Sequence, residues 1–173
     1  MRTETITRTY YKFSELSDEA KESARDWWRE GALDYGWWEC TYEDAEEIGL
    51  KITGFDTGRS CDIEGHFTDA PERVAEKIIA GHGEHTGTAA EARAYQKTLA
   101  EFMAGAEKDE YGELATYALD NEKDEIDREF LRALLEEYLT ILRKEEEYQL
   151  SDEVADEIIV ANEYEFTEDG KIV

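Results

Sequence analysis

Proline is almost missing from this sequence, with Pro71 alone, and cysteine is confined to Cys40 and Cys61. Two cysteines can close one disulfide at most, so a disulfide-built fold is excluded and the expectation is two reduced thiols. No apolar run approaches the length needed to cross a bilayer, and the opening MRTETITRTYYKF lacks the apolar core of a signal peptide. The compartment expected on these grounds is the cytoplasm. Bases are scarce: nineteen Lys and Arg face forty-five Asp and Glu, a net charge of −26 with a sequence pI near 4.3. A surface so negative repels DNA, RNA and anionic membranes, because binding them requires cations that replace phosphate counterions. Also missing are a Gly-rich phosphate loop, a nucleophile elbow, an HExxH helix and paired CxxC motifs. The expectation is therefore a protein that is not an enzyme and carries no cofactor.

Aromatic residues, by contrast, are plentiful. Four Trp, ten Tyr and six Phe in 173 residues are far more than a disordered acidic tail carries, and the chain is long enough to bury a core. Residues 3–13 read as a strand. Ser17 is placed to cap a helix whose first turn holds Asp18 and Glu19 and whose inner face carries Ala20, Ala24 and Trp27 or Trp28. Gly31 and Gly36 break it, and Thr41 with Asp44 has capping-box spacing for a second helix ended by Gly49. Residues 50–67 predict a hairpin turning at Asp56 to Arg59, with Cys61, Ile63 and Phe67 on the apolar side of its second strand.

Four more helices and a closing strand complete the pattern. Asp69 caps a helix with Pro71 in its first turn and Val74 and Ile78 inward. Thr88 and Glu91 form a second capping box ahead of a stripe of Tyr95, Leu99, Phe102, Met103 and Ala106. A long helix over 122–148 aligns Ile126, Phe130, Leu134, Tyr138, Ile141 and Leu142, and Ser151 starts a last helix through Ile158. Tyr164, Phe166, Ile172 and Val173 suggest a closing strand or small hairpin. Strands at the start and end with helices between define an α+β fold. Its small, mainly antiparallel sheet would combine the N-terminal strand, the central hairpin and the C-terminal strand. One domain over 1–173 is expected, with a weak sub-boundary near 81–88.

Chemistry-bearing residues fall into three groups. His82 and His85 in GHGEH, with Cys61, His66 and Cys40 as further ligands, are the candidates for a metal. Strand alternation sets Cys61 and His66 on opposite faces, which argues against their sharing an ion and leaves Cys61 as a buried, inert thiol. Trp27-Trp28 and Trp37-Trp38 cannot each hide both rings on one narrow helix face, so a rim position for Trp38 would suit a partner-binding anchor. The acids cluster three times. Glu39, Glu43, Asp44, Glu46 and Glu47 form one group, and Asp120, Glu122, Asp124, Glu125, Asp127 and Glu129 a second, the latter partly offset by Lys123 and Arg128. The third runs from Asp152 and Glu153 through Asp156, Glu157, Glu163, Glu165, Glu168 and Asp169 with no base among them.

The segment YYKFSELSDEAKESARDWWREGALDYGWWECTYEDAEEIGLKITGFD and the ending ANEYEFTEDGKIV resemble a family of acidic proteins carried by phages and prophages, some of them labelled antitoxins. The likeness covers most of the chain, least in 85–125, and transfers no catalytic residue. It implies a mobile-element origin. Carboxylates fixed on helices can stand in for duplex phosphates, so the first reading is an inhibitor of a basic, nucleic-acid-handling host protein, of the anti-restriction or anti-CRISPR DNA-mimic type. Glu43, Glu46, Glu47, Asp152, Asp156, Glu157 and Trp38 are its expected partner-binding residues. The second reading is an antitoxin that neutralises a basic toxin, and the third, of another class, is a metal-dependent enzyme using His82 and His85. A homodimer is compatible with the first reading, since two acidic subunits would lengthen a mimic.

Overall fold

The computed structural model describes residues 8–105 and 116–173. The chain divides into two compact units, Met1–Trp37 with Lys144–Val173, and Trp38–Arg143. The stretch near 81–88 lies inside the second unit. Among these residues helices dominate, two small antiparallel sheets accompany them, and the fold is α+β.

In the first unit, the strand expected over 3–13 is reduced to Tyr11–Lys12 (β1), its residues 3–7 lying outside the described ones. The Glu15 carboxylate accepts the Lys12 N–H at 2.7 Å and closes the 3-10 turn Phe13–Glu15, which ends the strand at once. Helix α1 (Asp18–Arg29) starts as expected: Ser17 Oγ accepts the Ala20 N–H at 3.3 Å, and Asp18 and Glu19 lie in the first turn. Toward the C-terminus, α6 (Asp152–Ala161) repeats that chemistry with Ser151 and Val154, and β4 (Glu165–Phe166) pairs with β1 in the register Tyr11 to Phe166. Phe13, Leu16, Ala20, Ala24, Ile159 and Phe166 form this unit's core. The Trp27 ring meets Tyr164 and Phe166 edge-on, at 5.2 and 6.0 Å. Gly170 closes the tail at φ 80, where an added Cβ would stand 2.0 Å from the Ala20 carbonyl oxygen, so the turn is reserved for glycine.

The second unit is built on a hairpin, β2 (Leu50–Asp56) and β3 (Asp62–Phe67), with Leu50 opposite Phe67 and a bulge at Thr53. The Asp56 carboxylate accepts the N–H groups of Gly58 and Ser60, and these bonds hold its pKa below the usual carboxylate value. Around the hairpin stand α2 (Glu39–Ile48), α3 (Pro71–Gly81), α4 (Gly87–Gly105) and most of α5 (Thr116–Gln149). Along α5, Phe130, Leu134, Tyr138 and Leu142 recur at every fourth residue and are buried, whereas Ile141 is exposed. Those α5 residues through Tyr138 join Ile48, Leu50, Ile52, Val74, Ile78, Ala92 and Tyr95 in one core, where the Tyr95 and Phe130 rings stack at 4.3 Å.

Several expectations are corrected. Among the described residues the strands form two separate two-stranded sheets, β1 with β4 and β2 with β3, not one, and Phe166 of β4 makes a further isolated bridge to Ile172. Helix α2 begins one turn before the proposed capping box: the Tyr42 N–H already reaches the Trp38 carbonyl at 3.1 Å, so Thr41 lies inside it. Its end at Gly49, in the left-handed region at φ 91, is as expected. Ala70, not Asp69, is the cap of α3; the Asp69 carboxylate accepts the Ala70 N–H and pairs with Lys77 and Arg73. Thr86, not Thr88, caps α4 by accepting the Ala89 N–H at 3.2 Å. Met103 is exposed rather than part of the apolar stripe, and Ala106 lies outside the described residues.

Candidate functional site

Helix α2 owes its position to a narrow inner face. Ala45 and Ile48 are buried and Tyr42 packs against the same core. The remaining residues point away, and four of them are the exposed carboxylates Glu39, Glu43, Glu46 and Glu47. At 3.6 residues per turn, their spacing confines them to an arc of about 100°, and 1.5 Å of rise per residue spreads them over about 12 Å of axis. Among the described residues, none of the four has a basic side chain in salt-bridge range. Their neighbour Asp44 is turned differently. One of its oxygens accepts the buried Tyr138 hydroxyl at 2.7 Å, and the other stands 3.7 Å from His82 Nε2.

The α6 acids are differently employed. Asp156 takes Arg25 in a two-pronged bond, Nε at 2.6 Å and Nη2 at 2.8 Å, while Asp152 faces both Arg25 and Arg29. Arg29 also bonds the Leu150 carbonyl at 3.1 Å, and Glu22 braces both arginines. Hydrogen bonding to Asp156 pushes the Arg25 pKa upward, and the bonds from Arg29 and Arg25 pull that of Glu22 down. Asp152 and Asp156 thus tie α6 to α1 and have partners within the chain. Glu157, in the same helix, is exposed.

In α5, Asp127 accepts the Tyr95 hydroxyl at 2.8 Å and Lys123 Nζ at 2.7 Å, while Lys123 also pairs with Glu72. Arg128 pairs with Glu125 at 2.7 Å. The second acid group is therefore partly neutralised from within.

Trp38 is half-buried, with its ring 6.0 Å from that of Phe55 and inclined at 65°. Trp27, Trp28 and Trp37 are half-buried as well, so every tryptophan keeps a rim while packing on the fold.

The metal candidates do not converge. His85 and His66 are exposed, Cys40 is exposed in the first turn of α2, and no group of three or more His, Cys, Asp or Glu among the described residues could hold an ion. Cys61 corrects the expectation of a buried thiol. It is exposed at φ 48, before β3 begins, and its thiol donates to the Gly58 carbonyl at 3.0 Å. The alternation from Asp62 to Phe67 is as expected, but it does not reach back to Cys61.

His82 is fixed by its neighbours. The Thr86 hydroxyl donates to the Gly83 carbonyl and the Thr88 hydroxyl donates to Thr86. Thr88 Oγ1 lies 2.7 Å from His82 Nδ1, within hydrogen-bond distance. The order Thr88, His82, Asp44 has the outline of a nucleophile relay, but Thr88 is 3% exposed and its hydroxyl has no open approach.

Fold and surface together define an acidic α+β protein whose α2 carboxylate face is unneutralised among the described residues. Compared with protein-family models, with curated protein sequences and with solved structures, the chain matches none. Among the described residues, no helix is long and apolar enough to cross a membrane.

Proposed function

We propose that this chain is an acidic binding protein of mobile-element origin that occupies the nucleic-acid-binding surface of a basic host protein. The observation that carries the reading is the outer face of α2, where Glu39, Glu43, Glu46 and Glu47 are exposed without counter-cations among the described residues. A rigid helix presents these charges without an ordering cost at binding, as a duplex presents its phosphates. The net charge of −26 adds long-range steering toward a basic surface. The resemblance to acidic phage and prophage proteins supports the origin.

The binding residues are narrowed to Glu43, Glu46, Glu47 and their neighbour Glu39, with Trp38 at the edge. Asp152 and Asp156 already serve Arg25 and Arg29. The test is capture of partners from a bacterial lysate on the tagged protein, elution by a salt gradient, and competition by duplex DNA. A basic nucleic-acid-binding protein, released at moderate salt and displaced by DNA, is the expected result. Replacing Glu43, Glu46 and Glu47 together by Gln should weaken that complex at least tenfold, whereas Asp156→Asn should leave it within twofold. A complex indifferent to both salt and DNA would sink the mimic reading. A small toxin retained without DNA competition would favour the antitoxin instead.

A further inference from the structure

Helices α4 and α5 leave a cleft between them with a cavity volume of about 170 Å³. The same spacing builds both walls: Glu91, Ala94, Tyr95 and Thr98 on α4, and Ile126, Glu129, Phe130 and Ala133 on α5. In each helix these residues stand at i, i+3, i+4 and i+7, which is one face. The aromatic pair is buried and stacked, and the space exists because Ala94, Thr98 and Ala133 are too short to fill it.

Three features select an occupant. Small-molecule pockets span about 300–1,000 Å³, whereas a cavity of about 150 Å³ holds one benzene, so this cleft has room for a single side chain. Its lining is apolar and aromatic apart from Thr98, the Tyr95 hydroxyl and two carboxylates, and that hydroxyl is already bound to Asp127. Both charged groups that line it, Glu91 and Glu129, are negative. Nearby bases are committed elsewhere: Arg93 donates to the Glu84 carbonyl, Lys97 pairs with Glu101, and Arg128 pairs with Glu125. Arg132 lines a different groove, beside Leu131 and Leu135.

We propose that this cleft is a socket for one long cationic side chain, an arginine or lysine projecting from the basic partner. The methylene stem lies against Ile126, Ala133 and the aromatic pair, and the charged head stays at the rim between Glu91 and Glu129, where it remains partly wet. Buried anchors of this kind, arginine prominent among them, supply much of the energy of an interface. The inference rests on the reading of a basic protein partner and adds a second contact, distinct from the α2 face.

The socket can be tested without any partner. N-acetyl-arginine methylamide is titrated into the full chain and followed by amide chemical shifts, with the lysine and the neutral citrulline counterparts as parallel probes. Saturable shifts centred on Glu91, Ala94, Thr98, Glu129 and Ala133 are expected, at least tenfold weaker for citrulline. Ala94 is exposed on α4, so Ala94→Leu fills the space without altering charge. It should abolish the shifts at unchanged melting temperature. A second variant, Glu129→Gln, should weaken the arginine probe at least threefold if Ala94→Leu disturbs folding. Equal shifts from citrulline, or shifts spread over the α2 acids and insensitive to both variants, would overturn the socket. Because this assay omits the partner and the α2 variants omit the cleft, failure of one proposal is distinguishable from failure of the other.

Discussion

Tyr138 shows how much one residue can connect. Its side chain is fully buried, and its hydroxyl donates to Asp44 on α2 from the middle of α5. Burial first, and the hydrogen bond to Asp44 second, push its pKa upward. The phenolate is thus disfavoured in the folded state relative to the unfolded chain. The resulting stability is fully present below the unfolded value of about 10, and it is lost as pH rises above that value. Replacing Tyr138 by Phe should cost about 1 kcal/mol at neutral pH, since Asp44 is half-exposed and water can replace the lost donor. At pH 11 the wild type should lose about 1.4 kcal/mol more than Tyr138→Phe, enough to close the gap and reverse its sign, because only the wild type has this phenol to ionise on unfolding. Urea unfolding at pH 7.5 and pH 11 reads both quantities. A gap that stays constant or widens would mean that Tyr138 titrates freely in the fold.

The pairing of α6 with α1 is a matter for whole elements. Arg25 is mostly covered, Asp156 is about a third exposed, and their two-pronged geometry makes this a strong, charge-assisted ion pair. Solvent screening and side-chain entropy limit it, so a double-mutant cycle of Asp156→Asn with Arg25→Met should return a coupling of about 1–2 kcal/mol. Hydrogen exchange should report it as faster opening of α6 peptides; a coupling near zero would show that α6 is held by its apolar face alone. This element also marks what the sequence made legible. Apolar spacing and glycine or serine punctuation were readable, as with Ser17, Ser151, Gly49 and the every-fourth-residue stripe of α5, because those signals are local. The partner of an acid is not local. Asp152 and Asp156 looked as free as Glu43 and Glu46, since Arg25 and Arg29 lie more than a hundred residues away along the chain. Glu91 was misread for a similar reason: three residues after Thr88 it imitates a capping box, while Thr86 holds the cap and Glu91 lines a cleft that α5 completes. Cys61 failed differently, because its turn at φ 48 breaks the strand alternation one residue before β3.

For the molecule as a whole, the deciding quantity is the balance between −26 net charge and the ion pairs that offset it. The pairs are short, for example Lys123 to Glu72 at 2.8 Å and Arg128 to Glu125 at 2.7 Å. Mutual repulsion acts over much longer distances. The Debye length falls from about 30 Å at 0.01 M salt to about 10 Å at 0.1 M, so added salt removes the long-range repulsion while contacts under 4 Å persist. The melting temperature should therefore rise between 10 and 300 mM KCl, by several degrees if about 1 kcal/mol of repulsion is relieved. Over the same range the proposed complex with a basic partner should weaken steeply, because its attraction is the one being screened. Opposite slopes for stability and binding in a single salt series are the signature expected of a surface whose charge serves recognition at the expense of the fold. If the melting temperature fell instead, the internal pairs of Arg25, Arg29 and Lys123 would outweigh the repulsion, and the acidity would have to be explained as scaffolding for those pairs.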